Sequence, residues 1–177
     1  MSNGVIVEKR SLGRTGFEVA GIGLGTWQLG SDCWGDMNQQ KAFGILESAV
    51  ANGVTFFDTA DVYGAGNSES LLGEFFAAHA LKPVIATKIG RWATPGWPYN
   101  FQRNWMLKHV EASAKRLRTD ALDIVQLHCI PTPELVNGAV FETLREAKDA
   151  GLISHFGASV ESVEEGTLAI DHGAATL

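Results

Sequence analysis

The chain has 177 residues, of which 45% are hydrophobic and 19% charged, enough apolar material for one globular domain with a sizeable core. A net charge of −6 excludes a general positive field for nucleic acid or an anionic membrane surface, though not a local basic site for a small anionic cofactor. Cys33 and Cys129, far apart and without C-x-x-C spacing, read as reduced thiols.

The opening segment MSNGVIVEKR lacks the apolar run of a signal peptide, and the longest apolar stretches fall short of the ~20 residues of a membrane helix. The expectation is a soluble, cytoplasmic protein. Residues 7–12 and 17–20, around the turn Gly13-Arg14-Thr15-Gly16, predict a β-hairpin. Five short apolar runs then read as buried strands, at residues 21–25, 54–57, 83–87, 123–127 and 153–156. Between and after them, apolar residues three and four apart predict helices over 38–51, 68–80, 103–117, 133–150 and 163–171. Gly53 and Gly151 supply C-terminal stops, and residues 174–177 read as the start of a sixth strand.

Strand–helix alternation implies parallel strands joined by right-handed crossovers. The phosphate-binding turn of a doubly wound sheet is missing, because Gly21, Gly23 and Gly25 do not have G-x-G-x-x-G spacing. Thr26, Asp58, Lys88, His128 and Ser159 instead stand at successive strand ends, where a β/α barrel gathers its reactive groups. The barrel is the better reading, in one domain over residues 1–177.

Taken singly, each of these residues has an ordinary explanation: an aspartate capping a loop, a tyrosine packing, a lysine at a solvated rim, a histidine bonded to a loop. Together, Asp58, Tyr63, Lys88 and His128 form a coherent acid–base set. A phenol, with a pKa of ~10, is a poor proton donor at neutral pH. A neighbouring ammonium favours the phenolate left behind, and a carboxylate keeps the ammonium charged and oriented. An imidazole alongside can donate to a carbonyl oxygen. Such a group suits protonation of that oxygen while hydride reaches carbon.

At these residues the chain resembles the aldo-keto reductases. The matching pieces are Gly23-Leu24-Gly25-Thr26-Trp27, Asp58-Thr59-Ala60-x-x-Tyr63-Gly64, Thr87-Lys88, Leu127-His128 and Gly157-Ala158-Ser159. The resemblance implies a (β/α)8 barrel of that family's type with an N-terminal hairpin, of which the given residues span about the first five to six β/α units. It implies reduction of aldehydes or ketones with NADPH or NADH, Tyr63 as general acid, Lys88 and Asp58 as its tuning pair, and His128 orienting the substrate. Gly25, Thr26, Trp27, Asp58 and Ser159 would lie against the cofactor, with Ser159 bonding its carboxamide. Val160 stands where many members carry asparagine, which removes one such contact. The loops that bind pyrophosphate and adenosine belong, in the family, to three further strands.

Five tryptophans (Trp27, Trp34, Trp92, Trp97 and Trp105) fall mainly in strand-to-helix loops. Trp27 and Trp92 are read as a substrate wall, Trp105 as packing, and residues 91–101 as a loop facing the substrate. Cys129 is read as structural, and the five histidines show no paired metal spacing. Two other functions stand beside reduction: a fragment without catalysis because the cofactor-binding part is missing, and a barrel aldolase using Lys88 as a Schiff base. The expected partner is a small carbonyl substrate, not nucleic acid or membrane. Open sheet edges and an inward face read as Val54, Phe56, Val84, Ile85 and Ile124 would favour self-association if the chain ends at Leu177.

Overall fold

A computed structural model describes residues 7–30, 35 and 37–177. Cys33 and Trp34 lie outside the described residues. The hairpin forms, with β1 (Lys9–Ser11) antiparallel to β2 (Glu18–Ala20). Five parallel strands follow in the spatial order β3 (Leu24–Gly25), β4 (Phe56–Asp58), β5 (Val84–Ile89), β6 (Leu122–His128) and β7 (Ile153–Ser159). Sequential order in the sheet, with a helix after each strand, is the winding of a β/α barrel. Beyond β7, Thr176 bridges Gly157 in parallel, so the sixth strand does begin within 174–177.

The helices are α1 (Trp27–Gly30), α2 (Gln39–Ala51), α3 (Asn67–Ala78), α4 (Arg103–Leu117), α5 (Thr132–Asn137), α6 (Ala139–Asp149) and α7 (Val163–Asp171). No helix among the described residues is long and apolar enough to cross a membrane. Asn38 caps α2 by accepting from the Lys41 N–H at 2.9 Å, and Ser162 caps α7 by accepting from Glu165 at 3.1 Å. The helix predicted over 133–150 is two helices, because Gly138 adopts φ +77° and ends one while starting the next. A Cβ there would lie 2.5 Å from the His172 ring, so the break is also a packing requirement. The first predicted strand shortens to Leu24–Gly25; Gly23 passes close against Phe56, where a Cβ would come within 2.6 Å of its ring.

Side-chain alternation divides each strand between two layers. Phe57, Val125, Leu127, Phe156 and Ala158 face the helices and join Leu46, Leu72, Phe75, Phe141 and Leu144 in the main core. Phe56, Asp58, Ala86, Lys88, Ile124, Gln126 and Ser159 line an inner cavity of about 310 Å³. Ile85 therefore corrects the expectation of an inward side chain. It pairs in register with Phe57, packs against the helical core and belongs to the outer layer. The hairpin closes the barrel floor: the Thr55 hydroxyl accepts from the Ala20 N–H at 2.8 Å, and Phe17 meets His155 edge-on at 5.2 Å.

Candidate active site

The upper ends of β4, β5 and β6 bring Asp58, Lys88 and His128 together, and the loop after β4 returns Tyr63 to them. Lys88 is buried, and its three ammonium protons have three acceptors. These are Asp58 Oδ1 at 2.6 Å, the Thr59 carbonyl at 2.9 Å and the Tyr63 hydroxyl oxygen at 3.3 Å. A buried ammonium is tolerated only when so satisfied, and the contact with Asp58 offsets the cost of burying its charge. The same Nζ lies 5.1 Å from the Tyr63 ring centre.

Tyr63 sits between two further rings, with Trp27 tilted at 6.1 Å and His128 edge-on at 5.9 Å. His128 is pushed down to about 4, first by burial and then by the positive charges of Lys88 and Arg91. It is a neutral imidazole at physiological pH, and its buried Nδ1 finds no hydrogen-bond partner among the described residues. A proton leaving the Tyr63 hydroxyl would leave its negative charge facing Lys88 Nζ, beside an uncharged imidazole free to hydrogen-bond a carbonyl oxygen.

The other sequence-predicted residues divide. Ser159 lines the cavity with Asp58, Lys88 and Gln126, and the apolar Val160 lies beside it. Trp27 is half exposed at the rim, and Gly25 leaves open space where a side chain would be. Thr26 is fully buried, and its hydroxyl donates to the Asp58 carbonyl at 2.9 Å, so it ties the end of β3 to the end of β4. Trp92 stacks over Arg116 at 5.5 Å, a contact that draws it toward α4. Trp105 packs at the helix surface against Lys108, as read from the sequence. Cys129 is a free thiol whose sulfur lies 4.0 Å from Ser159 Oγ.

Several supporting residues were missed. Ser68 Oγ lies 2.9 Å from both the carbonyl and the hydroxyl of Thr26 and accepts from Thr59 Oγ1 at 3.0 Å, tying the loops after β3 and β4 to α3. Glu69, wholly buried, accepts from Thr87 Oγ1 and pairs with Arg116 Nε at 2.6 Å, linking β5, α3 and α4. Asp61 and His109 are buried beneath the Tyr63 loop, His109 Nδ1 being 3.9 Å from Asp61 Oδ2. No local pattern marks these pairs. Gln126 was readable, since it stands two residues before His128 on the same strand and so faces the same cavity.

The family model for the aldo/keto reductase family matches residues 21–174. The chain is 33% identical over 162 residues to the aldo-keto reductase YhdN of Bacillus subtilis, an alignment covering 90% of this chain and 49% of that protein. A putative aldo-keto reductase from Pseudomonas aeruginosa superposes with a TM-score of 0.80 at 34% identity, covering 92% of this chain and 63% of that one. An aldo/keto reductase from Klebsiella pneumoniae, solved with NADP and acetate, superposes with a TM-score of 0.74 at 25% identity, covering 91% and 53%. The chain thus spans about half the length of the curated relatives it matches. The matched residues include every strand of the parallel sheet and all four residues of the Asp58–Tyr63–Lys88–His128 constellation: this chain belongs to the aldo/keto reductase family.

Proposed function

We propose that these residues form the proton-donating centre of an NADPH-dependent reductase of aldehydes or ketones. The observation that carries this reading is the position of Lys88 Nζ, within hydrogen-bond reach of both Asp58 Oδ1 and the Tyr63 hydroxyl. His128, held neutral, orients the substrate oxygen toward Tyr63; Tyr63 gives up its proton, and Lys88 stabilises the phenolate that remains. Asp58 keeps Lys88 charged through the cycle. The nicotinamide would supply hydride to the carbonyl carbon.

The inner cavity suits such a ring. Ser159 and Gln126 offer hydroxyl and amide groups for a carboxamide, and Asp58 and Lys88 lie on the same wall. Trp27 would add a flat apolar surface at the rim. NADPH is preferred over NADH because related structures from Klebsiella pneumoniae carry NADP or NADPH. The whole protein's activity, its small carbonyl substrate and its cytoplasmic location belong to the same proposal. A Schiff-base role for Lys88 is disfavoured: that chemistry needs a neutral amine, and this one donates to three oxygens, one of them a carboxylate.

Replacing Tyr63 by phenylalanine removes the transferable proton and little else. Carbonyl-dependent NADPH oxidation, by this chain or a longer polypeptide containing it, should fall ~10²–10⁴-fold in kcat. An undiminished kcat in Tyr63→Phe would end the assignment.

A further inference from the structure

A second cation, Arg91, follows β5 close to the level of His128 in the sheet. In the parallel register Ile89 lies opposite Leu127, which sets Gly90 level with His128 and Arg91 one residue further out. The backbone there is tightly held. Asn100, almost completely buried, donates through Nδ2 to the carbonyls of Gly90 at 3.1 Å and Trp92 at 2.7 Å, the two residues flanking Arg91. Gly90 has φ +116°, and a Cβ on it would come within 2.5 Å of the Phe101 ring, so this bend admits only glycine. The Trp92 ring is occupied with Arg116. Arg91 itself is exposed, and its charge reaches His128, where it opposes protonation of the imidazole.

The charges do not balance. Asp58 is matched by Lys88 at 2.6 Å, whereas no carboxylate among the described residues pairs with Arg91. A guanidinium without a carboxylate among the described residues, on a fixed backbone and with its charge felt at His128, suits bidentate recognition of an anion. We infer that Arg91 selects carbonyl substrates bearing a carboxylate or comparable anionic group, held by its guanidinium while the carbonyl faces Tyr63 and His128. This rests on the proposed reductase reading for the carbonyl, but not for the anion.

The test separates the two. Binding of benzoate and of benzamide is followed through the ring resonances of His128, with or without turnover. Benzoate should bind ~10-fold or more tightly than benzamide in the parent protein. Arg91→Gln should abolish that preference, and Arg91→Lys should restore part of it. Equal binding in the parent, or a preference that survives Arg91→Gln, overturns the inference. Loss of NADPH binding in Arg91→Gln with the carboxylate preference intact would assign the cation to the cofactor and likewise overturn it. Where the protein turns over, kcat/KM for 4-carboxybenzaldehyde relative to 4-formylbenzamide should fall in Arg91→Gln. If neither aldehyde is reduced, the reductase reading fails while the binding comparison still decides the role of Arg91.

Discussion

Gly30 and Gly64 cross so closely that a Cβ on Gly64 would lie 1.5 Å from the Gly30 carbonyl oxygen, and one on Gly30 would lie 2.5 Å from the carbonyl oxygen of Tyr63. This crossing pins the backbone of the candidate proton donor against the end of α1. Gly64 also has φ +60°, which strains any side chain. Gly64→Ala should therefore lower stability by ~2 kcal/mol or more. In whatever folds, Tyr63 should be displaced, and a misplacement near 1 Å can cost ~10²-fold in rate. Denaturant melts with turnover assays check both, and a wild-type melt would show the crossing to be soft.

Lys88 and Asp58 should behave as one unit. Lys88→Met leaves Asp58 without its counter-ion and Tyr63 without the charge that stabilises its phenolate, so kcat should fall ~10²-fold or more. Asp58→Asn leaves a buried ammonium short of its strongest acceptor. The double variant removes both ionic partners, and its loss of stability should be smaller than the sum of the single losses, by ~1–3 kcal/mol of coupling. Strict additivity in a double-mutant cycle would mean that the 2.6 Å contact is energetically idle.

The imidazole of His128, pushed down to about 4, should show no titration between pH 5.5 and 8 in its NMR ring signals. Burial is the main cause and Lys88 the next, so Lys88→Met should raise the midpoint without restoring the ordinary value of ~6.5. Below pH 6.5 the unfolded chain takes up a proton that folded His128 refuses. Its contribution to stability should therefore fade as pH drops toward 4. A midpoint near 6.5 in the unmodified protein would remove the neutral orienting group from the mechanism.

Asp61 carries the opposite sign. Burial first, and the nearby Glu69 second, push its carboxyl up to about 7, while Arg116 and the Val62 N–H pull it partly back. Among the described residues, neither carboxylate oxygen has a hydrogen bond of good geometry. The unfolded chain loses this proton near 4, so stability is full below that value and declines as pH rises to about 7, beyond which the contribution is flat. At about 1.4 kcal/mol per pH unit, the decline amounts to a few kcal/mol. Asp61→Asn should raise the Tm relative to the parent at pH 8, with a smaller gain at pH 5. An equal gain at both pH values would show that the buried carboxyl does not titrate there.

Strand order and the convergence of the four candidate residues were legible because barrel strands end on chemically distinctive side chains: Asp58, Lys88 and His128 each close an apolar run, and Tyr63 follows Asp58 by five residues. Period-two alternation also marks Gln126 as an inward residue. Ile85 was misread because a run buried on both faces has no polar side to reveal which way a residue points. The supporting pairs were illegible for a different reason. Arg116 and Glu69 are 47 residues apart, Thr26 and Ser68 are 42 apart, and each residue alone looks like an ordinary helix or loop position. The split at Gly138 was visible in principle, since a glycine within a predicted helix marks a weak point, but its left-handed backbone is set by His172 packing against it.

The hairpin's anchorage bears on the order of events during synthesis. Arg14 donates through its guanidinium to the Ala174 carbonyl at 2.8 Å, and through its backbone N–H to Ala175 at 3.2 Å, across a separation of 160 residues. A Cβ on Gly13 would lie 2.3 Å from the Ala175 carbonyl oxygen, so the two segments meet backbone to backbone. At ~5–20 residues per second, a ribosome would expose the hairpin ~10–30 s before its partner leaves the tunnel. During most of that interval β1 and β2 lean on each other and on Thr55, with Phe17 meeting His155 only once β7 is made, and an isolated two-stranded hairpin is marginal in water. The hairpin, made long before its partner, is thus secured late, when residues 174–176 arrive to meet Gly13 and Arg14.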